Sequence, residues 1–215
     1  MRRTVPVVLA FAVMLAAVGA ASANKLSFSE RAFRLTWPVE EPLVIRKPSE
    51  SFGIDDLFHC PVTLEGSFHS GTMRKVVGSL VGQVFRAAVG TCAYENSWFE
   101  PAGLLAETLP WHVTYSAFAG TLPRISLLTW QMSGFSFWGV EHSFRIRCLW
   151  RATEANPWTI RATRETTGGA LTSVALEATV PPLAGEGMFC NETGRVARPP
   201  RLAAAAGGAV TVTLI

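Results

Sequence analysis

Lysine is almost missing from this chain: Lys25, Lys47 and Lys75 are its full complement, and arginine supplies the rest of the 19 basic residues. Asparagine is scarce as well, while Ala, Gly, Arg and Pro are abundant. That bias points to a GC-rich genome and so to a bacterial source. An excess of one charge is also lacking. With Arg2 and Arg3 set aside, the basic residues come within one charge of the 16 acidic ones. Averaged over the chain, this leaves no electrostatic footprint for nucleic acid or an anionic membrane. Closely spaced Cys-x-x-Cys pairs are absent, which argues against a zinc site. So are a Gly-x-Ser-x-Gly elbow, a phosphate-binding glycine loop, a zinc-protease helix and a calcium loop. Gly134-Phe135-Ser136-Phe137-Trp138-Gly139 is one residue too long to be such an elbow. No cofactor is expected.

The amino terminus is informative. Arg2 and Arg3 precede an apolar run from Val5 to Ala20, and Ala21-Ser22-Ala23 supplies the small-x-small pattern of a cleavage site. We read residues 1–23 as a secretory signal peptide and 24–215 as a single β-rich domain. The expected location is secreted or extracytoplasmic, in the cell envelope, with no transmembrane segment once the leader is removed. The carboxyl-terminal run Val210 to Ile215 is too short for an anchor and reads as a last core strand.

Four cysteines remain: Cys60, Cys92, Cys148 and Cys190. An even number in an exported chain reads as two disulfides, and the local pairing, Cys60–Cys92 with Cys148–Cys190, is favoured because each pair brackets a compact run. Between the cysteines, apolar and polar residues alternate. Phe58, Cys60, Val62, Leu64 and Phe68 face one way, and His59, Thr63, Glu65, Ser67 and His69 the other. The same period of two runs through 109–116, 143–150 and 173–180, and shorter strands are expected at 32–37, 42–46, 124–130, 158–164 and 209–215. Turn residues separate them, as at Asn156-Pro157 and Gly207-Gly208. The fold class is therefore all-β, an antiparallel sandwich or barrel with two disulfides.

Residues 73–88 carry two patterns. Met73, Val76, Val77, Leu80, Val81, Val84, Phe85 and Ala88 recur with helical spacing, which would allow one short helix there. Gly78, Gly82 and the many valines favour strands. A hairpin pairing 60–70 with 82–92, turning near Lys75 to Gly78, would set Cys60 opposite Cys92, and we favour it.

Candidate chemistry is sparse. Glu65 and His69 share a polar face but stand about 13 Å apart along one strand, too far to touch. His112, in Leu109-Pro110-Trp111-His112-Val113, would gain interest if a carboxylate from another strand faced it. His59 and His142 carry less. Asp55-Asp56 reads as a turn. Seven tryptophans stand at 37, 98, 111, 130, 138, 150 and 158. Trp37, Trp111 and Trp150 fall on apolar faces, whereas Trp98 and Trp158 fall at loops, where exposed aromatics bind partners. The candidate binding residues are thus Trp98, Trp158, His112, Glu65 and His69, with no catalytic or metal-ligating residue assigned. No family resemblance accompanies these motifs: Leu35 replaces the glycine of the Gly-x-Trp opening of lipocalins, and the cysteines and tryptophans do not keep immunoglobulin spacing.

Three function classes follow. The first is a non-enzymatic binding or structural β module of the envelope, with a cell-wall glycan or another envelope protein as partner. The second is a carrier of a small apolar ligand inside a barrel. The third is an extracellular hydrolase using Glu65, His69 or His112.

Overall fold

The computed structural model describes residues 25–49, 53–92, 99–120, 125–141, 145–164, 170–177, 179–180, 194–196 and 200–214. Among them the chain forms β1 (Lys25–Phe28), β2 (Ala32–Trp37), β3 (Leu43–Ser49), β4 (Gly53–Cys60), β5 (Val62–Phe68) and β6 (Thr72–Arg74). It continues with β7 (Leu80–Val89), β8 (Phe99–Leu104), β9 (Trp111–Ala119), β10 (Leu127–Ser133), β11 (Ser136–Glu141) and β12 (Arg147–Arg151). It ends with β13 (Trp158–Arg164), β14 (Ala170–Glu177), β15 (Thr179–Val180), β16 (Gly194–Val196), β17 (Arg201–Ala204) and β18 (Val210–Leu214). One 3-10 turn, Ala106–Thr108, is the only helical element among the described residues.

The principal sheet is antiparallel and runs in the order β13-β10-β9-β7-β5-β2-β17-β14-β18-β1-β6. It curls until it meets itself. β14 pairs with β13 from Thr159↔Glu177 to Arg164↔Leu171, and touches β17 at Ser173↔Arg201. Two small sheets, β12-β11-β8 and β15-β16-β3-β4, complete the architecture. The expected all-β, antiparallel fold is the observed one.

Alternation builds the interior. Phe33, Leu35 and Trp37 of β2 point inward, as do Val62, Leu64 and Phe68 of β5 and Trp111, Val113 and Tyr115 of β9. Burial raises the pKa of the Tyr115 phenol by desolvation. Leu128, Trp130 and Met132 of β10 and Ile160 of β13 close the far side. The void left at the centre, between Phe33, Phe68, Trp130 and Leu202, is only about 10 Å³, roughly the space of one water-sized probe. A second aromatic stack ties the small sheet to the curled one. Trp37 stacks on Trp158 at 6.2 Å, Trp158 lies 3.8 Å from Phe135, and Phe137 stacks on Trp150 at 4.9 Å.

Strands form at 32–37 and 158–164 as expected, and those expected at 42–46, 124–130 and 209–215 form with shifted ends. One expectation needs correction: the alternation from Phe58 to Phe68 is two strands, in different sheets. Pro61 divides them, since it has no N–H to give the ladder. β4 pairs with β3, whereas β5 lies between β2 and β7. Asp55 and Asp56 likewise are not a turn but lie within β4, in register with Lys47 and Arg46.

Residues 73–88 hold no helix. β7 pairs with β5 from Val62↔Val89 to Phe68↔Gly82, so the two segments of the hairpin reading do pair, in a register shifted by one to two residues. The connection is longer than a simple turn, because β6 leaves to pair with β1. Cys60 and Cys92 are disulfide-bonded, with Cα atoms 4.2 Å apart. Cys148 is disulfide-bonded too; Cys190, its expected partner, lies outside the described residues.

Gly66 is required by close approach. A Cβ there would press on the Phe33 ring and come within 2.6 Å of the Gln83 carbonyl oxygen. Backbone cannot yield cheaply at the centre of a sheet. Gly66→Ala is expected to destabilise the fold by about 2 kcal/mol, read as a lower urea midpoint with an unchanged slope.

Candidate functional site

Among the described residues, the wider clefts lie on the outer surface. Residues that face outward on β2, β5 and β7 form two cross-strand rows. In the first, Arg34 is opposite Glu65 and Glu65 opposite Arg86. Arg34 donates to Glu65 Oε1 from Nη2 at 2.9 Å and from Nε at 3.3 Å, and Arg86 Nη1 donates to Oε2 at 3.3 Å. Both carboxylate oxygens are thereby engaged, so Glu65 is a structural partner of two guanidiniums more than a group poised for proton transfer. The second row is Thr36–Thr63–Ala88, small and flat.

These rows floor a groove. The cleft over the charged row, about 380 Å³, is lined by Arg34, Thr36, Thr63, Glu65, Arg86 and Ala88. A wider cleft of about 950 Å³ shares Thr36, Thr63 and Ala88 with it and extends to Pro38, Pro42, His59 and Pro61. The two are thus continuous. The wide end is stiffened by covalent and backbone ties. The Cys60–Cys92 bond lies beside it, Gly90 N–H donates to the Pro61 carbonyl at 2.8 Å, and Glu41 N–H to that of Pro38 at 3.1 Å. Proline and disulfide restraint of this kind pre-organises a surface and lowers the entropy lost on binding. Chemically, the groove offers guanidinium and hydroxyl donors at one end, with His59, Glu40 and apolar Pro and Val rims at the other.

The candidate residues from the sequence fall in separate places. Glu65 lies in the groove. His69 is on the exposed bend after β5, not on the strand, and its backbone is held by Val81 O and by Arg31 Nη2 at 2.9 Å. His112 is exposed on β9, in register with Ser133 of β10 and Gln83 of β7. It lines a different cleft, about 450 Å³, with Thr114, Gln131, Ser133 and Glu154. His59 belongs to β4 and so to another sheet than Glu65. Trp98 and His142 lie outside the described residues. No group of three or more potential metal ligands forms among the described residues.

Trp158 requires correction. Asn156-Pro157 suggested a loop, but Trp158 opens β13 and is fully buried against Trp37 and Phe135. Trp37, Trp111, Trp130 and Trp150 are also buried. Trp138 is half-buried beneath the Arg147 guanidinium, 4.8 Å from its ring. Among the described residues, five tryptophans therefore build the core and a sixth, Trp138, is half-buried. The sequence reading missed Arg34, Arg86, Thr36 and Ala88. They sit on outward positions of strands, but only knowledge of the β2-β5-β7 order brings them beside Glu65 and Thr63.

No known family model matches this chain, and neither a curated protein nor a solved structure shows significant similarity to it.

Proposed function

We propose that this chain is an exported, envelope-associated binding module whose ligand lies along the outer groove of β2, β5 and β7. The supporting observation is the contrast between a centre with about 10 Å³ of void and an open, disulfide-braced cleft of about 950 Å³ on the outside. Cavities that hold small molecules are typically about 300–1,000 Å³. The void bounded by Phe33, Phe68, Trp130 and Leu202 is too small for such a ligand, which favours the groove over the carrier reading. The signal-peptide reading of residues 1–23 supports a place in the envelope or the medium, and a hydroxyl- and guanidinium-lined groove suits a cell-wall glycan with hydroxyl and carboxylate groups.

The test uses insoluble peptidoglycan as the probe, with the mature chain measured by co-sedimentation. Thr63 sits at mid-groove on an outward strand position, where a large aromatic side chain fits the strand but fills the space. Thr63→Trp is expected to abolish co-sedimentation while leaving stability within about 1 kcal/mol of wild type. Equal sedimentation of Thr63→Trp and wild type would remove the groove from the account.

A further inference from the structure

The charge balance of the whole chain conceals a local imbalance. From Gly66 to Cys92 there is no aspartate or glutamate, while Arg74 and Lys75 lie in that span; Arg86, its third cation, is paired with Glu65. The same span contains most of the large apolar side chains that the described surface exposes: Val76, Val77, Leu80, Phe85 and Val89, with only Val39 elsewhere. Single exposed apolar residues are ordinary on any protein. Here Val76, Val77 and Leu80 are 59%, 73% and 51% exposed within one five-residue turn, and clustering of that kind marks a contact surface.

This turn is held firmly. Gly78 adopts a positive φ of 78° that suits glycine. Its N–H donates to the Tyr115 carbonyl at 2.9 Å, and Tyr115 N–H donates back to the Ser79 carbonyl at 3.0 Å. Ser79 N–H closes the turn on the Val76 carbonyl at 3.0 Å. The valines are therefore presented to solvent by a backbone fixed on β9, and little entropy remains to be lost when they are covered. Beside them, Arg74 is exposed on β6, and the Lys75 ammonium sits 5.2 Å from the centre of the Phe118 ring. Glu154 shares a cleft with Gly78 and Leu80 and is the acidic group that lines it.

We propose that the Arg74–Leu80 turn docks on an anionic lipid surface, with Val76, Val77 and Leu80 entering the interface and Arg74 and Lys75 meeting the headgroup charge. The pairing of rigid apolar tips with adjacent cations, in a span free of acid, is what such a surface recognises. It is a peripheral attachment, made by one turn, and is distinct from the outer groove.

The experiment is co-sedimentation of the mature chain with vesicles of phosphatidylcholine alone or mixed with phosphatidylglycerol, at low and high salt. The chain is expected to bind the mixed vesicles at least about tenfold better than the neutral ones, with salt weakening the difference. Val76→Asp with Val77→Asp is expected to lose at least about tenfold in binding, since two apolar side chains no longer leave water. Arg74→Gln with Lys75→Gln is expected to keep the weak neutral-vesicle binding and lose the preference for anionic lipid. Glu154→Gln is expected to strengthen binding, a gain that a folding defect would not produce. Absence of binding to mixed vesicles would overturn the proposal, as would equal binding by the double aspartate variant. Self-association without vesicles, abolished by Val76→Asp, would assign the turn to a second copy of the chain and overturn it as well.

Discussion

Trp158→Ala is expected to destabilise the protein by about 4 kcal/mol, enough to leave a domain of this size marginal. Trp158 is 0% exposed and joins two parts of the core. It stacks on Trp37 of β2 on one side and lies 3.8 Å from Phe135, which precedes β11, on the other. Removing the indole would leave a large cavity at the point where the curled sheet meets the three-stranded sheet. Neither sheet can move to fill it without breaking a strand register. Trp158→Phe keeps the ring contact and is expected to cost under half as much, because the indole Nε1 has no hydrogen-bond partner to lose among the described residues. Urea unfolding followed by circular dichroism reads both. A small effect for Trp158→Ala would mean that this residue is exposed, as its position after Asn156-Pro157 had suggested.

Breaking the Cys60–Cys92 bond by Cys60→Ala with Cys92→Ala is the second large effect. The bond closes a loop with a sequence separation of 32, and the chain-entropy account of cross-links gives about 3.7 kcal/mol for that length. The structural consequence is local as well as global. Cys60 ends β4, Pro61 interrupts the chain, and Val62 begins β5. The bond therefore fixes the corner where two sheets separate, and with it the wide end of the outer groove. The double alanine variant is expected to unfold at lower urea and to bind peptidoglycan more weakly even where it remains folded. A fully stable variant with unchanged binding would show that the β5–β7 ladder alone holds this corner.

Much of the fold was legible because alternation is a direct consequence of strand geometry. β2 and β13 were found at their observed ends, and the Cys60–Cys92 pairing followed from the register of 60–70 against 82–92. What alternation cannot reveal is where one strand stops and another starts when the period continues across the break. Phe58 to Phe68 keeps its period through Pro61, yet the backbone changes sheets there. Short strands such as β6 and β17 were also silent, since three or four residues are too few to carry a period.

The site was less legible than the fold. Glu65 was visible as a polar residue on a wet face, but its partners, Arg34 and Arg86, come from strands 31 and 21 residues away. Trp158 was misread for a related reason. A tryptophan after Asn-Pro looks like a loop residue until the strand that begins at that residue is seen to enter the core. Sheet order is a property of the whole chain, and surface sites on β scaffolds depend on it.

On the proposed reading, the ligand binds the outer face and the interior takes no part in binding. The most direct test is titration of the ¹⁵N-labelled mature chain with soluble fragments of wall peptidoglycan, followed by amide chemical shifts. Shifts are expected to gather on 34–36, 63–65 and 86–90, with core amides such as those of Leu128 and Ile160 unmoved. Shifts centred on the interior strands around Trp130 and Ile160, with the groove silent, would contradict it.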